Sequence, residues 1–202
     1  MSDKNLEMLA KAVMGRIFIE LEASARHVHV TKEQAEALFG HPLTKKRDLS
    51  QPGQYLANER VTVRGPKGEF KNVAVLGPER KEAQVELSLT DSRALGVDVP
   101  IRASGDVKGS PGVQLVGTCG SVRIMQGVIA ALRHIHMTPD DAKRMGVSDG
   151  QMVKLQVFTK RPLIFEDVLV RVSENFKTYV HLDFDEANAC GFESGDLGRI
   201  LL

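Results

Sequence analysis

The sequence predicts a mainly β protein with short helices, arranged as two tandem pseudo-repeat β-barrels. Three observations point there. Short runs of alternating apolar and polar residues dominate the chain, while helical periodicity is brief wherever it occurs. A unit made of a strand end, an N-cap residue, a short helix and a closing glycine occurs four times. The units fall into an internal twofold repeat, which with many short strands and few helices argues for tandem barrels rather than a parallel α/β sheet, and no dinucleotide-binding or phosphate-loop glycine motif is present.

The elements follow in order. Residues 3–16 place Leu6, Leu9, Val13 and Met14 on one stripe, with Lys4, Glu7 and Lys11 elsewhere, so they read as an amphipathic helix. Such a segment packs on its own domain or docks on a partner. Residues 17–23 form a first strand that leads through Ser24 into Arg26-His27-Val28-His29. A helix near 31–39 precedes a polar loop at 44–48, whose cations Lys45, Lys46 and Arg47 suit solvated surface or a phosphorylated ligand. Residues 58–76 read as a hairpin turning at Pro66-Lys67-Gly68. The connection Gly77-Pro78-Glu79-Arg80 then enters a strand at 83–87, followed by a third helix, a strand at 99–103 and the turn Ser104-Gly105-Asp106. Strands at 113–117 and 121–125 return the chain to Arg133-His134-Ile135-His136. Thr138, Pro139 and Asp141 mark the next helix as N-cap, first helical residue and capping-box acid. Strands at 152–158, 163–172 and 179–183 complete the series.

Composition narrows the function. At 202 residues, 42% hydrophobic and 26% charged, the chain is an ordinary globular protein with enough length to bury a core. A net charge of +1 and 5% aromatic content provide neither a basic surface nor stacking platforms for nucleic acid. No apolar run reaches the length of a membrane span, and the N-terminus lacks a signal-peptide core, so a cytoplasmic protein without a membrane partner is expected. Cys119 and Cys190 are too few and too far apart for a disulfide framework.

The chemistry lies in the repeat. Its four copies read His29, Thr31, Gln34, Ala35, Gly40; then Glu86, Ser88, Asp91, Ser92, Gly96; then His136, Thr138, Asp141, Ala142, Gly146; then His181, Asp183, Glu186, Ala187, Gly191. Only Gly40 falls one residue out of register. Alternate strand residues share a face, so His27 with His29, and His134 with His136, each present two imidazoles about 6–7 Å apart at the Cα level. Adding the remaining strand ends gives two ligand sets: His27, His29 and Glu86, then His134, His136 and His181. Three protein ligands leave a position open, as in catalytic rather than structural metal sites, and neither cysteine is placed as a ligand. The donors suit Zn²⁺, with Co²⁺, Ni²⁺ and Fe²⁺ left open. A single His-x-His is more often a cap or a packing residue; two at matching repeat positions favour metal. Arg80, shortly before Glu86, is either a surface arginine or an anion clamp, and Ser24 and Ser104 could add hydroxyl donors.

The segments Ser24-Ala25-Arg26-His27-Val28-His29, Gln51-Pro52-Gly53-Gln54-Tyr55, Leu76-Gly77-Pro78, Gln84-Val85-Glu86-Leu87-Ser88, Arg133-His134-Ile135-His136-Met137 and Asp185-Glu186-Ala187-Asn188-Ala189 resemble the phosphate propanoyltransferase family. These are the phosphotransacylases associated with bacterial microcompartments, in pathways such as propanediol degradation. The resemblance spans about residues 17 to 195. It implies an active site between two barrels, with two Zn²⁺ per chain and exchange of a propanoyl or acetyl group between coenzyme A and phosphate. His27, His29 and Glu86 would face the CoA sulfur, and His134, His136 and His181 would hold the second ion. Arg80 would bind phosphate with Ser24 and Ser104 nearby, while Ser24, Leu76, His181 and Asn188 would border the CoA nucleotide. The family's first strand packs into the C-terminal barrel, which divides the chain into 1–16 as a helix, 26–131 as the first barrel, and 17–25 plus 132–202 as the second. The N-terminal segment is similar to encapsulation peptides, implying a partner in a microcompartment shell or its cargo, and a homo-oligomer is expected. Ala74 departs from the pattern, standing where a basic residue near CoA would be.

Direct transfer needs no serine or cysteine nucleophile, so no acyl-enzyme is expected. The competing enzyme class is a dinuclear metal hydrolase acting on a thioester or ester. A non-catalytic metal- or anion-binding module is the other alternative.

Overall fold

A computed structural model of the protein describes residues 17–201, together with Asn5, Val13 and Gly15. The expected helix at 3–16 otherwise lies outside the described residues. In order, the strands and helices are β1 (Ile19–Ser24), β2 (His27–His29), α1 (Lys32–Phe39), β3 (Lys45–Asp48), β4 (Tyr55–Arg64), β5 (Glu69–Gly77), β6 (Gln84–Glu86) and α2 (Leu89–Leu95). Then come β7 (Ile101–Arg102), β8 (Val113–Val116), β9 (Ser121–Ile124), β10 (Val128–Ala131), β11 (His134–Met137) and α3 (Pro139–Met145). The chain finishes with β12 (Met152–Phe158), β13 (Leu163–Val172), β14 (Tyr179–Asp183), α4 (Phe184–Cys190) and β15 (Leu197–Leu201). The protein is thus mainly β, as the alternating pattern predicts.

The chain divides into two barrel-like units. One comprises residues 25–132 with 183–185, and the other residues 1–24, 133–182 and 186–202. The 25–132 unit is a nine-stranded sheet ordered β7-β10-β6-β2-β5-β4-β8-β9, with β3 added on β4. The other is a closed six-stranded barrel, β1-β14-β11-β13-β12-β15, in which β1 pairs antiparallel with β15. Each sheet turns one side of its strands inward. In β12, Val153, Leu155 and Val157 are buried while Met152, Lys154 and Phe158 are exposed, the period of two that one-sided burial requires. In β2 all three residues are buried, Val28 in the apolar core of its unit and the two histidines on the opposite face.

The helices are short and capped. Thr31, Ser88 and Thr138 each accept a backbone N–H of the first turn, and Gly40, Gly96 and Gly146 close the helices in the left-handed conformation. Asp183 is the last residue of β14, directly before α4.

Three local expectations are corrected. The polar stretch at 44–48 is mostly strand, because β3 is an exposed edge strand on which a row of charges is tolerated and discourages further pairing. The buried run Val128–Ala131, unassigned from sequence, is a strand pairing parallel with both β6 and β7. Asp141 does not close a capping box: its backbone N–H reaches Thr138 Oγ1, but its carboxylate takes the Thr178 hydroxyl and Arg144. The capping box forms instead at α1, between Thr31 and Gln34.

Candidate metal centres

The pairing register assembles each ligand set. On β2 and β6, which run antiparallel, His27 lies opposite Glu86 and His29 opposite Gln84. On β11 and β14, also antiparallel, His134 lies opposite His181 and His136 opposite Tyr179. The third ligand therefore stands across from the first histidine of each pair. The ligand atoms of His27, His29 and Glu86 all lie within 4.8 Å of one another, as do those of His134, His136 and His181.

In the first set, backbone carbonyls fix both imidazoles. His27 Nδ1 is 2.8 Å from the Ala25 carbonyl and His29 Nδ1 is 3.1 Å from the Leu76 carbonyl. Each carbonyl can only accept, so each Nδ1 carries a proton and Nε2 is the nitrogen left to ligate an ion. The strand end beside that carbonyl is closely packed: a Cβ on the adjoining Gly77 would lie 2.1 Å from the Tyr55 ring, which would have to move to admit it. Glu86 Oε2 is 3.5 Å from His27 Nε2. Ligands about 2.0–2.1 Å from a tetrahedral zinc stand roughly 3.3–3.4 Å apart, so this separation fits one ion.

Burial sets the charge states. It would raise the Glu86 pKa, yet the charge and hydrogen bond of His27, with His29 and the Ser104 hydroxyl, hold that carboxylate well below its usual range. For His27, burial lowers the pKa but Glu86 outweighs it, and the net shift is upward. His29 is held well below its ordinary value by burial first, then by the charges of His27 and Arg80. The site thus contains an ionised acid and a neutral His29, while Glu86 favours a proton on the facing Nε2 of His27, and that proton is the one a cation would displace.

The second set is all imidazole. His136 Nδ1 is 3.0 Å from His181 Nε2, and His181 Nδ1 is 3.4 Å from Glu22 Oε2 on β1. Carboxylates in this relation orient metal-binding histidines. The Phe176 ring packs on His136 with centroids 4.1 Å apart.

Several expected residues fall beside the first set. The Arg80 backbone N–H donates to Val30 at 2.9 Å, one residue beyond His29, and its charge acts on both His27 and His29. The Ser104 hydroxyl donates to Glu86 Oε1 at 2.8 Å. Leu76 contributes the carbonyl that holds His29. Ala74 is the parallel neighbour of His27 on β5. Ser24, His181 and exposed Asn188 belong to the other unit.

Sequence reasoning missed Gln84, Glu22 and two arginines. Arg26 makes a two-pronged pair with Asp91 at 2.8 and 2.9 Å and stacks over Phe70. Arg133 reaches Glu186 at 2.9 Å and lies over Phe165. Each arginine directly precedes a ligand histidine, and each acid follows the third ligand by five residues, so the two pairs are repeat equivalents. The repeated Arg-His-x-His was the available signal.

A sequence profile described as phosphate propanoyltransferase matches residues 20–193. A phosphate propanoyltransferase of Leptotrichia buccalis is 58% identical over 182 residues, covering 89% of this chain and 86% of that protein. One of Enterococcus faecalis is 55% identical over 184 residues, covering 90% and 87%. One of Thermotoga maritima is 52% identical over 181 residues, covering 88% and 86%.

Proposed function

The chain belongs to the phosphate propanoyltransferase family, and from that premise we propose that it catalyses acyl-CoA + phosphate = acyl phosphate + CoA, with propanoyl or acetyl as the acyl group. It is an acyltransferase. The observation that best supports the detailed reading is the coincidence, within one unit, of a buried two-histidine, one-carboxylate set and the charge of Arg80.

Both donor sets suit zinc: borderline nitrogen and oxygen ligands, three per site, with tautomers or orientations fixed by neighbours. We assign His27, His29 and Glu86 to the ion on the CoA sulfur side, and His134, His136 and His181 to a second ion. Zinc bound there would supply a Lewis acid and a partner for the departing thiolate.

Arg80 holds the phosphate. A guanidinium offers two parallel N–H groups to two phosphate oxygens, which leaves a third aimed at the thioester carbon. Its positive charge also offsets repulsion between the phosphate and the oxyanion that develops on the carbonyl. Attack forms the O–C bond and breaks the C–S bond without an acyl-enzyme. Neither cysteine is assigned a role as nucleophile: Cys190 is buried, and Cys119 contacts the Phe39 carbonyl. Ser24 and Ser104 add hydroxyl donors toward phosphate. Ser24, Leu76, His181 and Asn188 border the CoA nucleotide.

The proposal extends to residues 1–16 as a segment directing the enzyme to a microcompartment shell or its cargo, and to a homo-oligomeric assembly. Among the described residues no helix is long and apolar enough to cross a membrane. The test is thiol release from propanoyl-CoA with and without phosphate. Release that requires phosphate supports transfer; release without it means hydrolysis, and no release leaves a binding module.

A further inference from the structure

We propose that Gln84 is a positioning residue that restricts Glu86 to one ligating oxygen, so that the ion held by His27, His29 and Glu86 keeps a position open for substrate. The inference rests on the metal reading above and concerns the protein's own side chains. Gln84 and Glu86 are two apart on β6 and share its face, opposite His29 and His27. The Gly105 backbone N–H donates to Gln84 Oε1 at 2.8 Å, which fixes which end of the amide is which. The NH₂ end therefore points the other way, donating to Glu86 Oε1 at 2.5 Å and to Ser104 Oγ at 2.8 Å. Ser104 in turn donates its hydroxyl to the same Glu86 Oε1 at 2.8 Å. Both amide protons and the amide oxygen of Gln84 are thus engaged, on a side chain only 2% exposed.

The consequence for Glu86 is asymmetric. Oε1 receives two donors, while Oε2 is the oxygen that faces His27 Nε2. An unrestrained carboxylate can chelate a cation through both oxygens. With Oε1 occupied, Glu86 contributes a single bond, and two imidazoles plus one oxygen leave a four-coordinate ion one position short. The other unit provides an internal comparison. There Tyr179 stands where Gln84 does, and the third ligand is His181. An imidazole cannot chelate through two atoms, so that position needs no such restraint.

The experiment uses the full-length protein, stripped of metal and reconstituted with Co²⁺, whose d–d absorption is intense in four-coordinate sites and weak at higher coordination. Gln84→Met keeps the volume and removes the amide; Ser104→Ala removes the other donor. In Gln84→Met, one of the two ions should lose d–d intensity and bind about 10- to 100-fold more weakly. Ser104→Ala should shift the spectrum in the same direction by less. An unchanged spectrum in Gln84→Met overturns the proposal, even with weakened binding, because the residue would then merely pack the site. If Gln84→Met does not fold, the spectrum of Ser104→Ala decides by the same criterion. The metal reading fails separately: wild-type protein and His27→Ala would take up Co²⁺ alike.

Discussion

At His27 the choice of tautomer decides what the side chain can do. With Nδ1–H given to the Ala25 carbonyl, Nε2 faces Glu86 and is the atom left to ligate an ion, and His29 repeats the arrangement against Leu76. Removing an imidazole should therefore remove an ion. His27→Ala is expected to lose one equivalent of metal and His134→Ala the other, measured by elemental analysis after gel filtration; full metal content in both variants would refute the two-site assignment. Arg80 allows a sharper distinction. A surface arginine tolerates lysine, whereas a two-pronged phosphate clamp does not, since an ammonium lacks the planar fork. Arg80→Lys should keep both ions and the fold, raise KM for phosphate and lower kcat, on the order of tenfold or more, the scale of one lost charge-assisted hydrogen bond. Wild-type phosphate kinetics in that variant would remove Arg80 from the site. The ligands were legible because strand periodicity puts alternate histidines on one face and the repeat points to the third. Gln84 and Glu22 were not, because their partners arrive by tertiary pairing: Gly105 from the turn after β7, His181 from a strand near the other end of the described chain.

Among the elements, the capped helices carry the repeat, and their N-terminal acids do more than cap. Gln34 closes its box on Thr31, but Asp91 and Glu186 turn to Arg26 and Arg133, tying each helix to the segment that enters the ligand strand. A capping pattern is local and could be read from spacing, while a carboxylate's preference for a distant arginine could not. Thr138→Ala should destabilise the protein by about 1 kcal/mol, the usual cost of a lost N-cap, in urea melts. Thr178 links the same helix to β14, accepting the Thr138 N–H and donating to Asp141. Burial would raise the Asp141 pKa, but the Thr178 hydroxyl and Arg144 outweigh it and the net shift is downward. A depressed folded-state pKa stabilises the protein above the unfolded value of about 3.9, and that contribution disappears as pH falls through the folded value. Thr178→Val should therefore cost about 1–2 kcal/mol near pH 7. The part of that cost owed to Asp141 should vanish in acid, so melts at pH 6 and at pH 3 should show a narrower gap at the lower pH. An equal gap at both would break the link.

On the scale of the whole molecule, the sheet content and the presence of barrel-like units followed from the alternating pattern, but closure did not, because it depends on which strands meet rather than on where they lie in the chain. If residues 1–16 serve as a targeting segment, deleting residues 1–14 should leave phosphate-dependent thiol release unchanged; loss of activity would show that the segment belongs to the enzyme's own packing. The pairing of β1 with β15 also has a bearing on synthesis. Ile19 lies opposite Gly198 on β15, and the barrel order also sets β1 beside β14, so β1 and its later partner β15 are made far apart in time. At about 5–20 residues per second, roughly 180 residues of translation separate them by about 10–40 s. Meanwhile residues 25–132 have been made and can assemble almost all of their own unit. The apolar face of β1, with Ile19 and Leu21, has no closed barrel to enter until then, and its edge toward β15 is bare. A ribosome that stalls between the two strands would release a half-finished product with one settled unit and one sticky ribbon. Arrival of β15 thus decides whether β1 is sheltered in a closed barrel or stays a mark for chaperones and proteases.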